Sequence, residues 1–401
     1  MTEADPVQPA CAETTSLEPV LTTIREALAR QQAVYPQGGR TKWNECLLPM
    51  PAGGMVVDTT PWSRILDYPA RDMTITVQAG IRMAELQSAL AQEGQWLPID
   101  VPHAEQATLG GCLACNTWGP RVQGYGSLRD YVIGIQYINA EGQLAKAGGR
   151  VVKNVAGYDL CKLLIGSRGT LGIITQVTLK VRPLPQASGT IVVHVPQTKL
   201  GDALFLLNQT RTQPASLTML GQPAASPLRL EALFEGSATT VAWQLKQLIH
   251  EFTPLHGCDL EHAQGEREIA QARVDAVLQQ LCEPCFVRWR CQVLPSQVLE
   301  LWPLLQEHAS RLIVYPERGT IIGQAAAALP MQQWQKLKHE VERIGGQWAM
   351  LHAPDDGRLP EWLWGSPRPD WKLMRRIKQA WDPKQRFSPG RFFIDVVKSF
   401  G

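Results

Sequence analysis

Three stretches of the chain hold residue types that could cradle a phosphorylated ligand. The first is Pro36-Gln37-Gly38-Gly39-Arg40-Thr41-Lys42, entered from Ala33-Val34-Tyr35. Paired glycines let backbone amides turn toward an anion, and Arg40, Thr41 and Lys42 add donors. Alone, such a turn is equally an ordinary strand end. The second runs from Ala107-Thr108-Leu109-Gly110-Gly111 through Asn116 and Gly119 to Gly124-Tyr125-Gly126. Its glycines permit a loop pressed against a flat ligand, while Thr108 and Asn116 offer short polar contacts. The plainer alternative is a glycine-rich corner between two helices. The third, Gly166-Ser167-Arg168-Gly169-Thr170-Leu171-Gly172-Ile173-Ile174-Thr175, brings a helix back into a buried strand. There glycine would leave strand amides and carbonyls free to meet a ligand edge.

Fewer residues present themselves for catalysis. Eight histidines are scattered along the chain, with no pair at ligand spacing on a common face, so no metal site is expected. His352, in Leu351-His352-Ala353-Pro354, is the first to test as a base. Arg288 and Arg290 flank Trp289 on a strand-like run, so both project from one face and could hold a carboxylate bidentately. Read blandly, they form an exposed sheet face. Lys372, Arg375, Arg376 and Lys378 read as a solvated helix face rather than a docking face. Cys112/Cys115 and Cys282/Cys285 have Cys-x-x-Cys spacing, but each pair offers only half a zinc or iron–sulfur site. Buried reduced thiols are the expectation.

The elements that must position these residues follow from periodicity. Glu18–Gln31 and Met83–Glu93 show helical spacing, whereas Met55–Asp58, Met73–Gly80 and Val132–Ile138 are β-branched runs closed by turn residues. Glu141-Gly142 marks a hairpin, Asp159–Ile165 a helix and Leu171–Val181 a long strand. Arg182-Pro183-Leu184-Pro185 punctuates the chain as a boundary. From 186 to 355 short strands alternate with helices, which predicts a helix-backed antiparallel sheet. The division expected is a loose tail 1–15, a ligand-binding domain 16–183, an α+β cap 186–355 and a C-terminal segment 356–401 with a helix at Trp371–Trp381.

Bulk properties narrow the class. With 401 residues, 44% hydrophobic and 19% charged, the chain can bury two or three cores. A net charge of +2 supplies no basic field for nucleic acid. No apolar run reaches membrane-spanning length, and the polar start lacks a secretory pattern, so a cytoplasmic location is expected, with membrane contact only peripheral through a partner. No Gly-x-Gly-x-x-Gly follows the first strand, which argues against a nicotinamide Rossmann domain.

Taken in order, the phosphate loop, Ala-Thr-Leu-Gly-Gly, Leu-Arg-Asp, Gly-Tyr-Asp-Leu and Gly-Thr-Leu-Gly-Ile-Ile-Thr resemble the FAD-binding (PCMH-type) domain of the vanillyl-alcohol-oxidase superfamily, in its FAD-linked oxidase branch. Val152-Lys153-Asn154-Val155-Ala156-Gly157-Tyr158-Asp159, a compact cap and the terminal Ser388-Pro389-Gly390-Arg391 are similar to the FAD-binding E subunits of bacterial glycolate oxidases. The resemblance implies an α+β fold: a two-subdomain FAD domain, an antiparallel cap and a C-terminal return to the flavin. It implies that Pro36, Gln37, Gly38, Gly39, Arg40, Thr41 and Lys42 wrap the pyrophosphate. Thr108, Leu109, Gly110, Gly111, Asn116, Gly119 and Gly126 would line the rest of the cofactor. Gly169, Gly172, Ile173, Ile174 and Thr175 would meet the adenine side, and Arg391 the isoalloxazine. Where some members tether flavin through a histidine, this chain has Arg40, so non-covalent FAD is implied. Relatives that act alone on 2-hydroxy acids carry a metal-binding, histidine-rich cap segment that has no counterpart here. The implied role is therefore an electron-relaying subunit of a glycolate-oxidising complex, partnered by a second flavin subunit and an iron–sulfur subunit. A self-sufficient 2-hydroxy acid or sugar-alcohol dehydrogenase and a non-catalytic scaffold stay open.

Overall fold

The computed structural model describes residues 17–42, 53–149, 159–222, 227–265, 267–327, 330–353 and 364–391. The segment Lys153–Tyr158, which contributed to the family resemblance, lies outside them.

The first half is built on two small sheets. β1 (Val34–Gln37) pairs in parallel with β2 (Met55–Asp58). The helix Leu17–Ala29 seals this pair with Leu21 and Ile24, both fully buried at helical spacing. A five-stranded antiparallel sheet holds β3 (Ile65–Asp67), β4 (Thr74–Gln78), β8 (Ile173–Lys180), β6 (Val132–Ile138) and β7 (Leu144–Gly148) in that spatial order. Pairs such as Ile75 with Leu179 and Val77 with Val177 place apolar side chains opposite each other. The helices Met83–Gln92 and Leu109–Cys115 cover the core they make. Two short strands, β5 (Gln95–Trp96) and β9 (Arg182–Pro183), close this half.

The second half carries one large antiparallel sheet. Its order is β13 (Asp259–Gly265), β10 (Ala187–Val195), β12 (Leu228–Gly236), β11 (Ser216–Gly221), β15 (Arg311–Tyr315), β16 (Thr320–Ala325), β14 (Val287–Gln292) and β17 (Gln347–His352). Alternation sends the two faces to different tasks. Leu312, Val314, Trp289 and Cys291 pack under the helices Val298–His308 and Met331–Arg343, where Trp289 stacks on Trp348 at 5.4 Å. Gly323 makes room for that indole, since a Cβ there would lie 2.0 Å from the Trp289 ring. Ile313, Tyr315 and Ile322 face the opposite way, toward Trp118 of the first half.

After the helix Asp370–Trp381 the chain returns to its start. Phe387 bridges Val34 in parallel, Ser388 N donates to Val34 O at 2.9 Å, and Tyr35 OH donates to Pro389 O at 3.0 Å. The predicted α+β architecture, with an antiparallel cap sheet and a C-terminal return, is the one observed.

Candidate functional site

The three glycine stretches and the C-terminal return converge on one cavity. It is lined by Tyr35 to Lys42, by Thr108, Gly110, Gly111 and Cys115, by Ser167 to Gly169 and Gly172 to Ile174, and by Ser388 and Arg391. The glycines serve chiefly to let these loops touch one another. A Cβ on Gly38 would sit 2.1 Å from Thr108 Oγ1, and one on Gly39 would sit 1.7 Å from the Gln106 carbonyl oxygen. Gly169, at φ +73°, abuts Pro36, and a Cβ there would lie 2.5 Å from the proline ring. Arg40, Arg168 and Ser388 also hold positive φ around the same cavity, a concentration of backbone strain typical of binding sites. Gly39→Ala should therefore part the first two loops and strip the protein of bound flavin. Visible absorbance per chain measures this, and wild-type flavin content would refute it.

The second stretch is a short helix at its centre, not a bare loop. Thr108 caps Leu109–Cys115 by accepting from Gly111 N at 3.3 Å, and Asn116 ends it at φ 50°. Several expected cofactor contacts do not reach the cavity. Leu109 is fully buried in the core, and Gly119 packs against Asp100. Gly126 turns beside Asp130, and Thr175 donates its hydroxyl to Gln136 O at 3.1 Å.

Electrostatics suit an anionic ligand. Arg40, Lys42, Arg168 and Arg391 line the cavity, and among the described residues no aspartate or glutamate does. Burial, aided by the neighbouring charge of Arg168, pushes the Arg391 guanidinium down to about 10. A cation so destabilised gains from an incoming diphosphate. The described residues thus fit FAD.

A second cavity, of about 160 Å³, opens on the cap side and shares Thr41, Lys42, Cys115 and Arg168 with the first. Arg288 and Arg290 reach it from β14, so the sheet face that carries them is turned to the first half of the chain and is not a bare exterior. Asn116 lies here rather than in the first cavity, together with His103 and Tyr315. His352 sits on β17 opposite Arg288 but does not line the cavity. His103, held at φ 55°, is the sole histidine among its described lining residues. Sequence reasoning passed over it for want of any motif, although a non-glycine residue in that conformation is an observable sign of a constrained site.

Two further residues behave unlike their sequence reading. Lys378 is not on a solvated face. It is 4% exposed and donates to Thr170 O at 2.6 Å, Asp382 Oδ2 at 2.5 Å and Phe387 O at 3.0 Å. Arg121, unremarked in the sequence, is 1% exposed between Asp100 and Glu235. The described cysteines are all free thiols, and burial pushes Cys112 up to about 12. Among the described residues no group of three or more His, Cys, Asp or Glu could hold a metal, and no helix is long and apolar enough to cross a membrane.

Fold and cavity together define a flavin-binding oxidoreductase of two-lobed FAD domain and sheet-built cap. Residues 9–148 match the family described as FAD binding domain. Glycolate oxidase subunit GlcD of Bacillus subtilis (strain 168) is 32% identical over 395 residues, covering 90% of this chain and 83% of that protein. Glycolate oxidase subunit GlcE of Escherichia coli (strain K12) is 29% identical over 384 residues, covering 94% and 97%. The fold is shared with alkyldihydroxyacetonephosphate synthase, at a TM-score of 0.70 and 19% identity over 94% of this chain and 75% of that one. The chain belongs to the PCMH-type FAD-binding family of oxidoreductases that includes these glycolate oxidase subunits.

Proposed function

We propose that this chain binds FAD non-covalently in the first cavity and serves as the FAD-binding subunit of a complex that oxidises glycolate, or a similarly small 2-hydroxy acid, to the 2-oxo acid. The observation that carries the reading is the cofactor cavity, free of acidic side chains among its described lining and sharing Thr41, Lys42, Cys115 and Arg168 with a second cationic cavity. Near full-length similarity to GlcE supports the complex. Its partners would be a second flavin subunit and an iron–sulfur subunit, in the cytoplasm or at the inner membrane face through one of them.

Bound FAD supplies a two-electron acceptor for the substrate's hydride. Around it, Pro36 to Lys42 and Arg391 would hold the cofactor, and the loops at Thr108 and Gly169 would fix its position. The hydroxyl proton needs an acceptor, and His103 lines the cavity where that hydroxyl would lie. In the assembled complex, His103→Asn is expected to lower kcat by about 100-fold, and His352→Asn by little. Equal effects in a glycolate-dependent dye-reduction assay would refute that assignment.

The decisive experiment is co-expression with neighbouring genes and purification on a tag on this chain. The expected result is a yellow preparation whose flavin stays in the supernatant after acid precipitation, with two co-purifying chains and glycolate-dependent turnover. A colourless chain that takes up no added FAD would overturn the proposal. The second reading, a self-sufficient dehydrogenase, is favoured by the cap-side cavity, and full turnover by the lone chain would select it.

A further inference from the structure

We propose that this chain itself seats the organic acid: Tyr315 OH and Arg288 Nε take the carboxylate in the cap-side cavity, and Asn116 Oδ1 holds the substrate's hydroxyl proton until it passes to His103. This rests on the proposed function and deepens it, because a subunit that only relays electrons needs no such seat.

The cavity's chemistry is incomplete as it stands. Tyr315 is 2% exposed and its hydroxyl has no hydrogen-bond partner. Asn116 Oδ1, Thr117 Oγ1 and Arg288 Nε are likewise buried and unpartnered, and all four residues line the same space. Buried polar groups are almost always paired, so four orphans around one cavity point to a polar occupant. Arg288 Nε can only donate and Asn116 Oδ1 can only accept, whereas the Tyr315 and Thr117 hydroxyls can do either. The occupant must therefore bring an acceptor to Arg288 and a donor to Asn116, as a 2-hydroxy carboxylate does.

Charge sets the sign of that occupant. Lys42, Arg168, Arg288 and Arg290 line the cavity, whereas no aspartate or glutamate is among its described lining residues. Burial raises the Tyr315 phenol above its ordinary value, so it stays protonated and donates at neutral pH. Arg288 is preset by its own backbone contact, with Nη2 donating to Glu283 O at 2.8 Å, which leaves Nε for the ligand. Trp118 stands edge-on to Tyr315 at 5.1 Å, and with Ile322 and Leu351 it gives the pocket apolar walls. About 160 Å³ holds a small acid.

The test uses the FAD-loaded chain alone and in its complex. Oxalate and glycolate are titrated anaerobically, with acetate as the analogue that lacks the hydroxyl, following the flavin visible band and the heat of binding. Saturable binding of oxalate and glycolate to the lone chain is expected, with acetate at least tenfold weaker. Tyr315→Phe and Arg288→Met should each weaken oxalate by tenfold or more at unchanged flavin content. Asn116→Ala should erase the preference for glycolate over acetate. If the flavin-loaded chain binds neither acid, or if both Tyr315→Phe and Arg288→Met bind oxalate as the wild type does, this inference falls and the proposed function stands. If the chain holds no flavin at all, both fall.

Discussion

Lys378→Met is expected to release FAD from an otherwise folded protein, weakening its affinity by about 100-fold, which corresponds to roughly 3 kcal/mol. The ammonium joins two arms of the cofactor cavity. One hydrogen bond runs to Thr170 O, directly after Gly169, and another to Phe387 O, directly before Ser388. Its third partner, Asp382, folds the return segment by accepting from Arg386 N at 3.0 Å and Phe387 N at 2.8 Å. Removing one member of a buried ion pair costs about 3–5 kcal/mol, because the other charge is left desolvated. That penalty would also lower global stability, so the two effects must be separated. Adding Asp382→Asn to Lys378→Met relieves the stranded carboxylate. Thermal stability should then largely recover while FAD stays weakly held, since neither carbonyl is pinned. Full recovery of FAD affinity in the double variant would show that Lys378 only neutralises charge. Lys372→Met, on the exposed side of the same helix, is the control expected to change neither.

The contrast between Lys372 and Lys378 shows what the sequence could and could not tell. Trp371 and Lys378 are seven residues apart, so they share one stripe of the helix, and Asp382 follows Lys378 at i+4. That stripe was a readable sign that one lysine of the basic cluster turned inward. Composition alone hid it, because four cations in seven residues resemble any solvated face. Where periodicity was strong the reading succeeded, as at Met83–Gln92 and Val132–Ile138. It missed β13, whose Asp259, Glu261 and His262 belong to an exposed edge strand with no apolar alternation. It also missed the helix Arg267–Cys282, whose buried positions reduce to Ala270, Val274, Val277 and Leu278.

The glycines proposed to meet the cofactor have a second reason to stand where they do. Their spacing marked Gly38, Gly39 and Gly169 as places where something must approach closely, and the nearest visitors prove to be Thr108, Gln106 and Pro36. The cap-side cavity was beyond such reading. Its walls come from Asn116, Arg288 and Tyr315, which no short motif connects, and only the meeting of the two lobes brings them together.

That meeting depends on Arg121, and Arg121→Met is expected to destabilise the protein by about 3–5 kcal/mol. The guanidinium donates to Asp100 Oδ1 at 2.6 Å within its own lobe and to Glu235 Oε1 at 3.0 Å on β12 of the cap. The Trp96 ring lies 5.1 Å from it on a further side. With side chains of Asp100 and Glu235 only 5% and 0% exposed, methionine would leave two carboxylates in apolar surroundings with no cation between them. They would repel each other and loosen the cap. Denaturant titration measures the loss, and wild-type stability would contradict it. The functional signature should differ from that of Lys378→Met. Arg121 touches none of the loops around the cofactor cavity, so FAD should be retained. The second cavity needs Arg288 and Tyr315 held against Asn116 across the two lobes, so oxalate affinity should fall at constant flavin content. Were oxalate to bind normally to Arg121→Met, the cap would have to be held in place by its apolar contacts around Trp118 and Ile322 alone.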